Sequence, residues 1–174
     1  VIIDNMMNLE LLTVGARLSG ESALADIAGS HASTTLANHF RDDFTCWHVV
    51  SYNNDGTVEC KETFQGKNHD SSWSRGQAWA IYGYTAVYRE TKDPVYLDFA
   101  RNIADMIMER VTTDDAIPYW DYDAPVLDST PRDASSAAIT ACGMLELSTM
   151  FPDGQKYFDY AEKILMNLSG KSYL

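Results

Sequence analysis

Apolar and polar positions along this chain recur at the spacing of paired helices. Three pairs are predicted, at about 3–18 and 21–40, about 73–91 and 94–111, and about 133–150 and 154–168. Each is broken by helix-stopping residues, at Ser19-Gly20, at Lys92-Asp93-Pro94 and at Pro152-Asp153-Gly154. The second member of a pair is amphipathic. In the middle pair Leu97, Ala100, Ile103, Ala104, Ile107, Met108 and Val111 recur every three or four residues, with Asp98, Arg101, Asp105 and Glu109 on other faces. The first member is less polar and richer in small residues, as in Gln77-Ala78-Trp79-Ala80-Ile81-Tyr82-Gly83-Tyr84 and Ser135-Ser136-Ala137-Ala138-Ile139-Thr140-Ala141-Cys142-Gly143. Helices of that kind are buried on most sides.

Alternation of buried and amphipathic helices implies two concentric layers, a ring of helical hairpins with the first helices inside. The later two pairs begin about 60 residues apart, as expected of a repeated unit. The fold class is therefore all-α, and three hairpins make half of a six-hairpin toroid. The chain reads as one incomplete domain, 1–174. Between the first and second pairs the period changes to two. Trp47-His48-Val49-Val50-Ser51-Tyr52 alternates, Asn53-Asn54-Asp55-Gly56 is a turn signal, and Thr57 to Phe64 returns as a second strand. A β-hairpin insertion is predicted at about 46–65. With Asp55-Gly56 as the central turn pair, His48 faces Thr63, Cys46 faces Gln65, and His48 and Gln65 are diagonal neighbours on one face. That register separates Cys46 from Cys60.

Composition narrows the function. The chain has 174 residues, 45% of them apolar, and a formal net charge of −12. A broad basic surface for nucleic acid is excluded. An anionic ligand would have to be held against the overall field by local cations, for which Arg41, Arg75 and Arg132 are the candidates. No apolar run is long enough to span a membrane. The three cysteines, Cys46, Cys60 and Cys142, form no CxxC and give neither a metal site nor a disulfide framework. There is no Gly-rich phosphate loop, no HExxH and no pattern that calls for a metal or cofactor. The chain opens on Val-Ile-Ile-Asp and reads as cut from a longer protein.

The chemistry-bearing stretch is Trp73-Ser74-Arg75-Gly76-Gln77-Ala78-Trp79. Indoles cover the apolar face of a pyranose, and Arg grips a carboxylate in a planar two-pronged geometry. The alternative is a helix start with two core tryptophans and a surface arginine. Asp4 is either an N-cap or a carboxylic acid held among apolar neighbours at the mouth of the ring, where burial favours the proton-donating form. His48 is either a satisfied strand histidine or, beside Gln65, part of a donor pair that recognises hydroxyl or carboxylate groups. His31 and His39 are assigned to packing or solvent exposure, and His69 is assigned no role. The aromatic run Ile117 to Pro125 either lines a sugar cleft or plugs the toroid end. Arg132-Asp133 reads as a helix cap with a local ion pair.

Taken together, these segments resemble the unsaturated glucuronyl hydrolases, glycoside hydrolase family 88. The resemblance is carried in order by Ile2-Ile3-Asp4-Asn5-Met6-Met7-Asn8-Leu9, His31-Ala32 with Arg41, His48-Val49, Phe64-Gln65-Gly66, Ser72 to Gly83, Tyr119-Trp120-Asp121 and Arg132 to Ala141. It implies an (α/α)6 barrel and a substrate with a 4,5-unsaturated uronic acid at its non-reducing end, an oligosaccharide of the kind that polysaccharide lyases leave. It also implies that Asp4 is the general acid and base and that His48, Gln65, Arg75 and Trp79 lie in the sugar site. The family has a second essential carboxylate, in a His-Asp motif upstream of Val1, so the chain alone is expected to have negligible activity. The related unsaturated rhamnogalacturonyl hydrolases are the nearest alternative. Their arginine motif is closer to Gly-Arg-Gly-Asn-Gly-Trp than to Arg75-Gly76-Gln77-Ala78-Trp79. A non-catalytic helical-repeat scaffold is the alternative of another class.

Overall fold

The structure is a computed structural model that describes residues 1–173. Among the described residues, six helices form three antiparallel hairpins: α1 (Asn5–Ser19) with α2 (Ser22–His39), α3 (Ser74–Thr91) with α4 (Pro94–Arg110), and α5 (Ala134–Ser148) with α6 (Gln155–Leu168). Two strands, β1 (Val49–Tyr52) and β2 (Val58–Glu62), lie between the first and second hairpins. The helix breaks fall at the residues expected. Gly20 ends α1 in the left-handed conformation and donates its N–H to the Ala16 carbonyl. Lys92 does the same for α3, and the Asp93 side chain then caps α4 at the Val95 N–H, with Pro94 opening the helix.

The first helices make the inner layer. Helix α3 packs between α1 and α5, and each outer helix leans on its own inner partner. In the later two hairpins burial follows the layer: eleven residues of α3 and seven of α5 are buried, against six of α4 and three of α6. Gly83 and Gly143 set how closely the inner helices approach. A Cβ on Gly83 would stand 2.5 Å from Met6 Cβ and 2.9 Å from the Met6 carbonyl carbon. One on Gly143 would stand 3.1 Å from the Tyr82 backbone. At both crossings bare backbone lets neighbouring helices meet. Helix α2 differs from the amphipathic pattern expected of an outer helix. Its buried line is Ala28, Ala32, Thr35 and His39, small or polar residues, while Ile27 is 56% exposed. His39 itself is fully buried, and loss of hydration pushes its imidazole down to about 4, so it packs as a neutral ring beneath the Trp47 carbonyl.

The three inner helices run in the same direction. Towards the C-terminal ends of α3 and α5, Arg89 reaches Glu146 at 2.8 Å, and it also reaches Glu10 in the middle of α1 at 2.6 Å. At the N-terminal ends of all three lie Asp4, Trp73 and Asp133, and this shared rim is where the β-hairpin inserts. The chain enters by pairing Ile2 with Val49 and donating the Ile3 N–H to the His48 carbonyl. No described helix is long and apolar enough to cross a membrane.

The hairpin keeps the expected register by a different turn. Val49 lies opposite Glu62, Val50 opposite Lys61 and Ser51 opposite Cys60, which continues to His48 opposite Thr63. The central turn pair is Asn54-Asp55, not Asp55-Gly56. Gly56 is left-handed and donates its N–H to the Asn53 carbonyl. The one-residue offset is absorbed by a bulge, after which Tyr52 pairs with Val58. The strand ends at Glu62, so Gln65 lies beyond the ladder and is not the diagonal neighbour of His48. Cys46 does not face Gln65 either. It pairs with Phe40 and is buried, and all three cysteines are free.

Candidate active site

Three aspartates stand at helix starts, and their side chains do different work. Asp93 caps the Val95 N–H, and Asp133 caps the Ser136 N–H at 2.8 Å. Asp4 occupies the N-cap position of α1 with helical backbone angles and makes no side-chain cap bond. Its side chain turns to the rim. Oδ2 is buried without a hydrogen-bond partner, and His48 Nε2 lies 3.7 Å from it. The capping explanation of Asp4 is therefore removed, and what stands in its place is a carboxyl oxygen with unused acceptor capacity. A buried polar atom of this kind is uncommon and calls for a reason.

His48 sits at the foot of β1, its side chain 3% exposed. Nδ1 lies 3.1 Å from the Thr63 hydroxyl and accepts the Phe64 N–H at 3.3 Å. The ring leans on Trp73, centroids 4.5 Å apart and tilted by 40°. Burial holds the imidazole below the usual histidine range, and the Asp4 carboxylate opposes this only in part. His48 is thus a neutral ring wedged between the α1 start and the α3 start.

Arg75, in the first turn of α3, carries its guanidinium beside the Trp73 ring, 5.3 Å from the centroid. Nε and Nη2 both donate to Asp133 Oδ2, at 3.1 and 2.8 Å. Asp133 Oδ1 accepts from Ser135 Oγ and the Ser136 N–H. Burial opposes ionisation of Asp133, but the Arg75 bonds and the helix-end N–H outweigh it and hold the carboxyl below its ordinary range. The pair clamps the α3 start to the α5 start and fixes the plane of a partly exposed guanidinium whose Nη1 is outside the clamp. The expected Arg132–Asp133 pair is not formed. Arg132 turns to Asp115 at 2.9 Å, so the ion partner of Asp133 comes from 58 residues away.

Trp79 follows Arg75 by four residues and lies on the same helical face. It is half-buried, edge-on to Tyr82, and with Met7, Tyr82, Ala138, Ile139 and Cys142 it lines an open pocket of about 350 Å³ on the inner surface. Met7 is three residues past Asp4 on α1, so the pocket continues down the inner face from the rim that carries Asp4 and Arg75. Gln65 is exposed in the loop after β2 and makes no side-chain hydrogen bond among the described residues.

Of the other candidate cations, Arg41 is spent on Thr45 and the carbonyls of Asp70 and Ser71, and it covers one face of Trp47. Arg75 alone of the three stands at the rim with Asp4 and His48. The backbone of the aromatic run is tied to the start of α3. Trp73 pairs with Asp121, the Trp120 carbonyl accepts both the N–H and hydroxyl of Ser74, and the Tyr122 N–H donates to the Ser72 carbonyl. It is a strap across the α3 start.

Sequence reasoning missed the residues that hold the rim. Asp121 is fully buried. Its Oδ2 accepts the Lys67 N–H at 2.9 Å and the Ser71 hydroxyl at 2.7 Å, fixing the loop that carries Gln65. Thr63 grips His48, and His69 Nδ1 accepts the Thr63 N–H at 3.1 Å. An aspartate flanked by Trp120 and Tyr122 was the signal available for Asp121. For Thr63 there was only its place opposite His48.

No protein-family model matches the chain. Individual proteins do. The chain is 45% identical over its full length to the unsaturated glucuronyl hydrolase of Formosa agariphila, of which it spans 44%. It superposes with a TM-score of 0.97 on the crystal structure of an unsaturated glucuronyl hydrolase specific for heparin, at 48% identity, covering all of this chain and 47% of that one. With the unsaturated glucuronyl hydrolase of Bacillus sp. GL1, described as responsible for the degradation of glycosaminoglycan, the TM-score is 0.92 at 31% identity, covering 97% of this chain and 46% of that one. The chain thus spans somewhat under half the length of the relatives it matches. Three hairpins are half of their (α/α)6 toroid.

Proposed function

This chain belongs to the unsaturated glucuronyl hydrolase family, and from that membership we propose that the full-length protein hydrolyses oligosaccharides ending in a 4,5-unsaturated glucuronyl residue, of the kind released from glycosaminoglycans. The observation that carries the reading is Asp4. It is an aspartate at a helix start that does not cap, with a buried oxygen that has no partner, 3.7 Å from a neutral histidine and at the rim shared by Trp73 and Arg75.

The substrate has a C4=C5 double bond conjugated with the C5 carboxylate and attached to the ring oxygen. In the reaction we propose, Asp4 as the acid gives its proton to C4. Positive charge then develops at C5 and is shared by the ring oxygen. Asp4, now a carboxylate, takes a proton from water as the water oxygen bonds to C5. The product of that step is a hemiketal. Its C5–O5 bond breaks to leave a ketone at C5 and a hydroxyl on C1, which makes C1 a hemiacetal. This expels the aglycone alcohol and becomes an aldehyde. One water is consumed overall. Conventional glycosidases use two carboxylates flanking the bridging oxygen. Here one carboxyl acts in turn as acid and base.

The other groups have roles that fit their surroundings. The guanidinium plane fixed by Asp133 offers its outer edge to the C5 carboxylate, whose charge the net −12 of the chain would otherwise repel. Trp79 walls the ring from the inner surface, and Gln65, exposed in the loop after β2, has a side-chain amide to offer a hydroxyl. Turnover is expected of the full-length protein rather than of residues 1–174 alone, which supply half of the ring. Conjugated unsaturated uronides absorb in the ultraviolet, and hydration removes the absorbance. The full-length protein mixed with unsaturated disaccharides from heparin-like and chondroitin-like chains is expected to bleach at least one of them. Persistence of the absorbance across the panel would leave the toroid as a binding scaffold.

A further inference from the structure

The candidate acid is approached by one imidazole nitrogen, and the far side of that imidazole is held by the β-hairpin. The direction of each hydrogen bond there can be worked out. The Phe64 N–H points at His48 Nδ1 at 3.3 Å, and a backbone N–H can only donate. Nδ1 is therefore the acceptor and carries no proton. The Thr63 hydroxyl, 3.1 Å from the same nitrogen, must then be a donor to it as well. Its own oxygen is supplied from the opposite side by the Gly66 N–H at 2.7 Å. A neutral ring without a proton on Nδ1 has its proton on Nε2, and Nε2 is the atom 3.7 Å from Asp4 Oδ2.

We propose that Thr63 is a positioning residue: its hydroxyl donates to Nδ1 beside the Phe64 N–H, and the two donors together hold His48 as the Nε2–H tautomer with that N–H aimed at Oδ2 of Asp4. The segment that carries the hydroxyl is itself fixed. The Thr63 N–H is tied to His69 Nδ1, and Gly66 approaches so closely that a Cβ there would stand 2.8 Å from Thr63 Oγ1. Asp121 secures the loop beyond Gly66 through the Lys67 N–H and the Ser71 hydroxyl. The sequence is a directed chain of donors: Gly66 N–H to Thr63 oxygen, Thr63 O–H to Nδ1, and Nε2–H towards Oδ2.

This inference rests on the role given to Asp4 above, and it adds a consequence. With a donor facing Oδ2, the transferable proton of the acid sits on Oδ1. After the proton has gone to carbon, the same Nε2–H faces the new carboxylate charge. A ring of the other tautomer would present a lone pair to Oδ2, repel the carboxylate and favour the proton on the oxygen turned away from substrate. The group that orients a metal-bound imidazole is worth about tenfold to a hundredfold in activity, and a loss of that order is expected here.

The tautomer is readable without substrate, from the ring nitrogens of the full-length protein labelled with 15N-histidine. The His48 signals are assigned by their loss in H48Q. We expect a protonated Nε2 and an unprotonated Nδ1. In Thr63→Val the Phe64 N–H alone faces Nδ1, so the Nδ1 signal should move from its wild-type position while Nε2 stays protonated, with kcat/KM about tenfold lower or more, and Thr63→Ser should restore both. A wild-type ring protonated on Nδ1 overturns the proposal, and that spectrum decides it even where Thr63→Val does not fold. So does a Thr63→Val variant with unchanged ring signals and rate, or a Thr63→Ser variant that restores neither. A protein with the expected tautomer and no turnover would instead count against the role of Asp4.

Discussion

Asp4→Asn in the full-length protein is expected to lower kcat by about a hundredfold to ten-thousandfold, the contribution typical of a positioned proton donor, while KM for an unsaturated disaccharide stays close to its starting value. The amide has nearly the same shape as the carboxyl. It makes no cap bond whose loss would loosen α1, because Asp4 makes none. Its oxygen or NH2 still fits beside His48 Nε2. What it lacks is a proton to give to C4 and a carboxylate to accept one from water. A fall in kcat without a rise in KM marks an interaction used only in the transition state. Asp93, whose side chain caps α4 at the Val95 N–H, should behave in the opposite way. Asp93→Ala removes a cap worth about 1 kcal/mol of stability, with little effect on turnover. Near-normal kcat in Asp4→Asn would remove Asp4 from the reaction.

The second large effect is expected where α3 crosses the first turn of α1. Gly83→Ala places a methyl group 2.5 Å from Met6 Cβ and 2.9 Å from both the Met6 carbonyl carbon and its oxygen. Two of these three atoms are backbone, so no side-chain rotation relieves the overlap. Helix α1 has to move away from α3. The expected cost is about 3 kcal/mol, at the upper end for overpacked cores. Asp4 precedes Met6 by two residues, and the shift of α1 also carries Asp4 away from Trp73 and Arg75. Misplacement by about 1 Å costs a reaction roughly a hundredfold. Urea denaturation and kcat/KM should therefore fall together in this variant. The control is Gly29→Ala on α2, where a Cβ meets nothing within 4 Å. That change should stabilise the helix by about 0.5–1 kcal/mol and leave turnover alone.

The parts of this fold that were legible in the sequence are those decided locally. Gly20, Lys92-Asp93-Pro94 and the 152–154 stretch end helices by their own backbone preferences, so the three pairs appear where the pattern put them. The inner layer was legible because Gly83 and Gly143 sit in runs of small residues with no polar face. The hairpin register was legible as well, although the turn is shifted by one residue and a bulge restores the count. A bulge has no strong local signature, and the position of Gln65 could not be read for a related reason. Its loop is set by Asp121, more than 50 residues away, after the strand has already ended. The partner of Arg75 was hidden in the same way, because Asp133 is brought to it by the packing of α5 on α3. Asp4 is the sharpest case. Whether an aspartate at a helix start caps or faces a cleft depends on His48, which reaches it only through the pairing of Ile2 with Val49.

Protonation at carbon rather than at a bridging oxygen is the core of the reading, and the reaction run in D2O tests it most directly. Proton NMR of the product of the full-length protein should show the C4 vinyl signal replaced by a CHD group, with one deuterium delivered to a single face of C4. A released sugar that keeps its vinyl proton and its double bond would contradict the account, because the glycosidic oxygen would then have received the proton.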